Sequence, residues 1–391
     1  MTKKKIAVLT ATRAEYGLLR PLIERLYADK DIELSLLVTG MHLSAEFGNT
    51  YQEILDDGFP IAAKIPILEE SDSAEAISKT MANALEGFGR YFEEYRVDLL
   101  VVLGDRYETI AVCLAAMNAR IPIAHLHGGE ITEGAVDDAI RHAITKLSYL
   151  HFPCTQAYAQ RIVQLGESPD RVFPVGALGV ENIRKVPLLS KEELEASIGF
   201  SLEDAYAVVT FHPVTLEDKS AESQFQALLE ALDDFDMKYI ITKANADAGG
   251  RVINQMIDQY ALTHDNVYAV ASLGMRRYLS AVKYSAMVIG NSSSGIIEAP
   301  SFQVPTVDIG DRQRGRTAAA SVIHCKTNRE EIRRAMEEAA VMKRRLEEEP
   351  VQNPYEMEGT SEKIVADCKD FLLHDRIDLK KTFYDLQMLE R

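Results

Sequence analysis

The residues from Asn291 to Arg316 are of types that bind phosphorylated ligands. The stretch begins Asn-Ser-Ser-Ser-Gly-Ile-Ile-Glu, directly after a short apolar run. Serine hydroxyls and free N–H groups at the start of a helix, together with the helix dipole, form an anion site. Glu298 can reach a ribose diol, and arginines at 312, 314 and 316 add positive charge. These groups predict a nucleotide diphosphate site; a capped helix followed by a solvated basic loop is the alternative interpretation.

A second group of polar residues follows two apolar runs in the first half of the chain. Asp105 and Arg106 come directly after one run, and His127 and Glu130 follow the next. An Asp at such a place is often only a helix cap. Acids beside a histidine are also what proton abstraction from carbon needs, because one group must be held near neutral pH as the base. This group therefore predicts acid–base chemistry.

Three further charged residues, Asp137, Asp138 and Arg141, lie on one predicted helix. Residues three or four apart share a helix face, so an ordinary ion pair competes with a catalytic role. The pair His125-Leu-His127 could bind a metal, but the sequence specifies no third ligand. We therefore predict neither a metal nor a cofactor. No G-x-G-x-x-G follows the first strand, which argues against a dinucleotide fingerprint.

Length and charge limit the classes of protein. With 391 residues the chain is long enough for two or three domains, and 47% hydrophobic and 26% charged residues are typical of a globular protein. A net charge of −17 argues against general nucleic-acid or acidic-membrane binding. No apolar run is long enough to cross a bilayer, and the start does not read as a signal peptide. Four widely spaced cysteines are typical of reduced thiols in a cytoplasmic protein.

Apolar runs of strand length alternate with helical patterns along the whole chain. The predicted strands are Lys5–Thr10, Glu33–Val38, Ile61–Pro66, Leu99–Leu103, Ile121–His125, Leu150–Pro153, Val172–Val175, Tyr206–Phe211, Tyr239–Thr242, Val267–Val270, Met287–Gly290, Thr306–Ile309 and Val322–His324. The predicted helices are Leu18–Asp29, Ala45–Asp57, Ser73–Tyr95, Glu108–Asn118, Asp137–Leu147, Thr155–Leu165, Lys191–Glu203, Ser223–Phe235, Gly250–Tyr260, Met275–Ser285, Ser293–Pro300, Arg329–Glu349 and Gly359–Leu373. Strands apolar on both faces indicate parallel sheets covered by helices on each side.

This alternation restarts after a break near Gly176–Lys191, so we predict two α/β domains. The expected division is 1–178, 179–365 and a C-terminal helix and tail, 366–391. Ligands of open α/β sheets bind at the carboxyl ends of the strands, and we expect the site in a cleft between the domains. The polar residues above all follow strands, as this placement requires.

With these residues assembled, the chain resembles the hydrolysing UDP-N-acetylglucosamine 2-epimerases, most closely the bacterial branch of sialic and legionaminic acid synthesis. The resemblance covers nearly the whole chain, in order. It rests on Thr10-Ala-Thr-Arg-Ala-Glu-Tyr-Gly, Val38-Thr-Gly-Met-His42, Leu103-Gly-Asp-Arg-Tyr-Glu, His127-Gly-Gly-Glu, Ile140-Arg-His-Ala-Ile-Thr-Lys, Phe211-His-Pro, Asn245-Ala-Asp, Gly290-Asn-Ser-Ser-Ser-Gly and Ile309-Gly-Asp-Arg-Gln-Arg-Gly-Arg. It implies the GT-B architecture: two Rossmann-like parallel-sheet domains, with a C-terminal helix that packs back on the first.

The resemblance also implies roles for particular residues. Those expected to bind the substrate and its uridine diphosphate are Arg13, Arg106, His212, Asn245, Leu273, Ser292, Ser293, Glu298 and Arg312. Those expected at the catalytic centre are Asp105, His127, Glu130, Asp137, Asp138, Arg141 and His212. Many members carry Glu where this chain has His127, so the acid–base role of that position falls here to His127 or Glu130.

The activity implied is conversion of UDP-N-acetylglucosamine and water to N-acetylmannosamine and UDP, through a glycal. The same chemistry on UDP- or GDP-linked diacetylbacillosamine is one alternative, and a GT-B glycosyltransferase is another. A non-catalytic nucleotide-sugar sensor is a third. The density of acids in the first half favours the epimerase over a transferase. We further expect a cytoplasmic homodimer whose partner is a nucleotide sugar, with no nucleic acid and no membrane.

Overall fold

The computed structural model describes residues 3–133, 135–203, 205–214, 221–245 and 249–386. The chain forms two compact units. The first unit takes its described residues from Met1–Glu130, Asp137–Glu181 and Met357–Arg391, and the second from Ile131–Val136 and Asn182–Glu356. The predicted domain limits, 1–178, 179–365 and 366–391, remain a prediction.

Each unit is built on a six-stranded parallel sheet. The strands of the first are β1 (Lys4–Thr10), β2 (Ile32–Thr39), β3 (Ile61–Ile65), β4 (Leu99–Leu103), β5 (Ile123–Leu126) and β6 (Leu150–Phe152). Those of the second are β7 (Tyr206–Thr210), β8 (Lys238–Thr242), β9 (Val267–Val270), β10 (Met287–Gly290), β11 (Thr306–Ile309) and β12 (Val322–Cys325). The strand orders are β3-β2-β1-β4-β5-β6 and, read from the other edge, β9-β8-β7-β10-β11-β12.

Helices connect the strands. They are α1 (Arg13–Ala28), α2 (Tyr51–Asp56), α3 (Ala74–Glu94), α4 (Tyr107–Asn118), α5 (Asp137–Leu147), α6 (Gln156–Gln164), α7 (Leu178–Lys185), α8 (Lys191–Ile198), α9 (Ala221–Leu232), α10 (Gly250–Thr263), α11 (Gly274–Tyr284), α12 (Ser293–Ile297), α13 (Arg329–Glu348) and α14 (Thr360–Leu373). None of the helices in the described ranges is long and apolar enough to cross a membrane.

The two sheets share one topology, and it fixes where each can bind a ligand. In both, the chain winds outward in one direction and then in the other, so the order reverses at β1/β4 and at β7/β10. At such a reversal the flanking connections leave in opposite directions and open a crevice at the carboxyl ends of the strands. All five residues of β4 and of β7 are buried, as the continuous apolar runs predicted.

The C-terminal helix belongs to the first unit. Arg25 Nε of α1 donates to Ser361 Oγ of α14 at 2.9 Å, and Lys369 Nζ lies 2.8 Å from carboxylate oxygens of both Asp29 and Asp31. Thr360 Oγ1 donates to Val175 O at 2.7 Å. The predicted fold class, with two Rossmann-like sheets and a returning helix, is therefore confirmed.

The local structure differs from the expected one at three places. The predicted strand Val172–Val175 forms a bridge between Val172 and His151 but is not extended further, because Pro153 opposite it has no N–H to continue the ladder. The predicted helix Ala45–Asp57 is interrupted before α2 by left-handed backbone at Gly48 (φ 88°) and Asn49 (φ 48°). The break expected at Gly176–Lys191 contains the short helix α7.

Candidate functional site

The crevice of the first unit lies where β1 leads into α1 and β4 leads into α4. Gly104 makes the turn after β4 with φ +78°, a backbone that favours glycine. His125 on the neighbouring strand supports this turn: its Nε2 lies 2.7 Å from Gly104 O and its Nδ1 lies 3.2 Å from Thr145 Oγ1. Burial lowers the pKa of His125 to about 3, so the ring is neutral. His125 is therefore a positioning group for the loop that carries Asp105.

Arg141 joins the predicted acids into one network. Its side chain is 1% exposed, and its Nη2 pairs with the carboxylate of Asp105. Its Nη1 donates to Asp138 Oδ1 at 3.2 Å and to Glu130 O at 3.0 Å. The ion pair between Asp138 and Arg141, which competes with a catalytic role for these residues, does form on α5. Arg141 also pairs with Asp105, which follows a different strand. Asp137 lies beside Asp138 in the first turn of α5 and is half-buried.

His127 and Glu130 lie on the loop after β5. His127 has a left-handed backbone with φ +63°, uncommon for a residue with a side chain. Its Nδ1 is 3.7 Å from Glu130 Oε1. His127, Glu130 and the buried Cys154 each offer one ligand atom within 4.8 Å of the others. His125 is the other member of the H-x-H pair, and its two ring nitrogens contact Gly104 O and Thr145 Oγ1. The two histidines are therefore not placed to bind one metal ion together. That the protein works without a metal stays a prediction.

Arg13 and Arg106, both expected to contact the substrate, begin at the same crevice. Arg13 Nη1 lies 3.4 Å from Glu53 Oε1, and Arg106 Nε donates to Glu108 Oε1 at 2.6 Å. Each guanidinium is thus oriented by a glutamate. Neither Glu53 nor Glu108 was assigned a role from the sequence.

Glu15 is a buried acid at this crevice that sequence reasoning also missed. Its Oε2 accepts from the backbone N–H groups of Ala11 at 2.7 Å and Thr12 at 3.2 Å. The Thr-x-x-Glu spacing of a capping box is the signal that could have found it. Burial, and next the carboxylate of Glu108, raise the pKa of Glu15 to about 7, against the opposing effect of Arg106.

Replacing Glu15 with Gln should change how stability depends on pH. Between the ordinary carboxyl pKa of 4.5 and about 7, folded Glu15 keeps a proton that the unfolded chain has lost. Folding stability therefore falls as pH rises through this window, by up to about 3 kcal/mol. Glu15→Gln keeps the acceptor for Ala11 and Thr12 and removes this loss. We expect its free energy of unfolding, measured by urea titration, to exceed that of the wild type at pH 8 but not at pH 5.

A matched control is Glu193→Gln, in the same capping motif at the start of α8 but exposed. This variant should follow the wild type at both pH values. An equal stability difference between Glu15→Gln and the wild type at pH 5 and pH 8 would contradict the titration assigned to Glu15.

The crevice of the second unit lies where β7 and β10 end. A Cβ at Gly290, which has φ +133°, would lie only 1.9 Å from Thr210 O, so the two strand ends approach closely enough to require glycine. Ser292 Oγ accepts from Ser294 N at 3.4 Å and caps α12. That helix spans only five residues and continues into the 3-10 turn Ala299–Phe302. Its dipole is therefore smaller than expected, and an anion would depend mainly on hydroxyl, N–H and guanidinium groups.

Asn291 links the predicted binding residues of this unit. Its Oδ1 accepts from His212 N at 2.7 Å, and its Nδ2 donates to His212 O at 2.8 Å. Its backbone carbonyl accepts from Arg312 Nη1 at 3.1 Å and from Gln313 Nε2 at 2.8 Å. His212 Nδ1 in turn accepts from Asn245 N at 3.4 Å. Asn291 and Gln313 had been assigned no role of their own, although Asn291 opens the serine motif.

The remaining predicted residues of the second unit lie at the ends of α11 and α12. Glu298 is 7% exposed and lies one turn after Ser294, whose carbonyl accepts from Glu298 N at 2.9 Å. Leu273 precedes α11 and is 1% exposed. Tyr278, not predicted, lies close to Ser294, and burial followed by the Glu298 carboxylate raises its phenol pKa. Asp247, the last residue of the Asn245-Ala-Asp motif, lies outside the described residues.

A family model described as UDP-N-acetylglucosamine 2-epimerase matches residues 24–369. The chain belongs to this family, and the predicted resemblance is confirmed. The chain is 42% identical over 330 residues to a GDP/UDP-N,N'-diacetylbacillosamine 2-epimerase (hydrolyzing) of Campylobacter jejuni, covering 84% of this chain and 86% of the relative. It is 40% identical over 385 residues to polysialic acid biosynthesis protein P7 of Escherichia coli, covering 98% of each.

A solved structure of the family confirms the fold. The crystal structure of Methanocaldococcus jannaschii UDP-GlcNAc 2-epimerase in complex with UDP-GlcNAc and UDP matches with a TM-score of 0.79 and 19% identity. The match covers 94% of this chain and 99% of that one. At this identity the likeness concerns the fold alone.

Proposed function

We propose that this member of the family is a hydrolysing 2-epimerase that converts UDP-N-acetylglucosamine and water to N-acetylmannosamine and UDP. The observation that carries the proposal is the network in which Arg141 holds Asp105 and Asp138 together. Positioned carboxylates can take protons from carbon and return them, and the buried guanidinium fixes where two of them lie. Family membership supplies the substrate class.

The proposed reaction has two stages. A base removes the proton from C2 of the sugar, the C2 electron pair forms the C1–C2 double bond, and the C1–O bond breaks with its electrons leaving on UDP. Water then adds its hydroxyl at C1, and C2 receives a proton on the opposite face. Asp105, Asp137, Asp138, His127 and Glu130 are the residues proposed to handle these protons, with Arg141 holding the acids.

The C2 proton is weakly acidic, so stabilising the departing diphosphate is essential to the elimination. We propose that Arg13, Ser292 and Ser293 contact the phosphates. The full set proposed to bind the substrate and its uridine diphosphate is Arg13, Arg106, His212, Asn245, Leu273, Ser292, Ser293, Glu298 and Arg312. The bonds that join His212 and Arg312 to Asn291 support this proposal, because they hold a cation and an imidazole beside the serines before any ligand binds. Glu298 is assigned to the ribose.

Turnover in D₂O tests the proposed route. We expect N-acetylmannosamine with one deuterium at C2, together with UDP, because the proton lost at C2 is replaced from solvent. Mass spectrometry and proton NMR of the product give the isotope content. N-acetylmannosamine that keeps its hydrogen at C2 would contradict elimination. UDP release only when an acceptor is added would favour a transferase, and unchanged substrate would favour a sensor.

A second substrate has a specific observation in its favour. The Campylobacter jejuni relative, 42% identical, is named for the diacetylbacillosamine nucleotides. The C2 chemistry would be the same, with differences only at the 4- and 6-substituents of the sugar. Side-by-side values of kcat/KM for UDP-N-acetylglucosamine and for UDP- and GDP-diacetylbacillosamine decide between them. A preference of about tenfold or more, equal to about 1.4 kcal/mol, identifies the substrate.

We also propose that the enzyme is a cytoplasmic homodimer that needs no metal or cofactor. Closed symmetric dimers are the commonest assemblies of such chains. Four separate thiols, of which Cys113, Cys154 and Cys368 are buried, support a reducing compartment. Light scattering gives the mass of the assembly, and turnover in the presence of EDTA tests the metal.

A further inference from the structure

His142 on α5 faces Asp138 and has no part in the reaction described above. Its Nε2 lies 3.4 Å from Asp138 Oδ2. Arg141 Nη1 approaches the other oxygen, Oδ1, at 3.2 Å. Both oxygens of this carboxylate are therefore in contact with a nitrogen, one from a guanidinium and one from an imidazole.

The surroundings of His142 keep its ring neutral near pH 7. The side chain is 26% exposed, and its Nδ1 is buried with no hydrogen-bond partner among the residues that the structure describes. The charged groups around it are Asp138 and Arg141 on α5 and Arg161 on α6. Burial lowers the pKa of His142; Asp138 raises it, and both arginines lower it further. A neutral ring with its proton on Nε2 presents a polar N–H to Asp138 Oδ2 across this 3.4 Å contact.

We propose that His142 is a positioning residue that fixes the carboxylate of Asp138 for proton transfer. The inference rests on the proposed function, in which Asp138 is one of the acids. Arg141 is shared between Asp138, Asp105 and Glu130 O, so it cannot set the orientation of Asp138 independently. A second contact, on Oδ2, fixes the plane of the carboxylate. A plain i,i+4 pair would stabilise α5 slightly and do nothing else.

His142→Ala and His142→Gln separate these two roles. Glutamine offers an Nε2 donor near the place of the imidazole Nε2, whereas alanine offers none. We expect His142→Ala to lower kcat by about tenfold with little change in KM, because a carboxylate in the wrong orientation transfers protons less efficiently while substrate binding is retained. His142→Gln should keep a kcat close to that of the wild type.

His264 is the matched control. It makes the same kind of contact in the second unit, with Nε2 3.3 Å from Asp233 Oδ1. His264→Ala should leave kcat and KM unchanged. If His142→Ala behaves like His264→Ala, or if its loss of activity equals its loss of folded protein by circular dichroism, the positioning role is wrong.

The titration of His142 gives a readout that does not depend on turnover. NMR of the imidazole signal, assigned by its absence in His142→Gln, should show a lower pKa in Asp138→Asn than in the wild type, because the carboxylate that raises it has gone. An identical titration in both proteins would overturn the contact. Failure of the wild type to form N-acetylmannosamine would instead overturn the proposed function, so the two failures are distinguishable.

Discussion

Replacing Asp105 with Asn should lower kcat by about 10²- to 10⁴-fold and leave UDP binding near its wild-type value. The change removes a carboxylate from the crevice of the first unit while keeping its size. Arg141, which is buried, retains Asp138 and the carbonyl of Glu130, so the fold should not suffer. The residues proposed to hold UDP belong largely to the second unit. Steady-state kinetics and calorimetric titration with UDP measure the two effects separately.

Asp98→Asn is the matched control for this change. Asp98 precedes the same strand, β4, at its amino end, where its Oδ2 accepts from Lys5 N at 2.7 Å. Asp98→Asn makes the same chemical replacement at the amino ends of the strands, opposite the crevice. Turnover of this variant should be unchanged. A fully active Asp105→Asn enzyme would show that the catalytic assignment is wrong.

Replacing Arg312 with Ala should weaken UDP binding before it affects the chemistry. Arg312 is half-buried, and its Nη1 is held 3.1 Å from Asn291 O, beside His212 and the serines. A charged hydrogen bond contributes about 1.5–3 kcal/mol, so its loss should raise the Kd for UDP by about 10- to 100-fold. The KM for the nucleotide sugar should rise in parallel, and its difference from the wild-type value should shrink at high salt, where the charge of Arg312 is itself screened.

Arg314→Ala provides the comparison two residues away. Arg314 is exposed, and its Nε lies 3.2 Å from Glu133 Oε2 within the same unit. Such surface pairs contribute little, so this variant should bind UDP as the wild type does. Equal weakening by Arg312→Ala and Arg314→Ala would indicate that only the general positive charge of the loop matters. Unchanged binding in both would remove the loop from the site.

The parts of the fold that follow from local patterns were predicted well. Strands such as Leu99–Leu103 and Thr306–Ile309 were predicted to the residue, because a short apolar run bounded by polar residues determines a buried strand locally. Errors occurred where the backbone itself decides the structure, as at Gly48 and Pro153. There, a left-handed residue or a missing N–H overrides the apolar pattern.

By itself, then, the sequence determined two α/β halves and the placement of reactive side chains just after their strands. Only the tertiary structure decided which of these side chains meet. Asp105 and Arg141 are 36 residues apart, and His212 and Asn291 are 79 apart. Those meetings depend on the order of strands in each sheet, which brings β4 beside β5 and β7 beside β10. Because strand order is a long-range property, no local pattern could have shown that Arg141 joins two acids or that Asn291 holds His212.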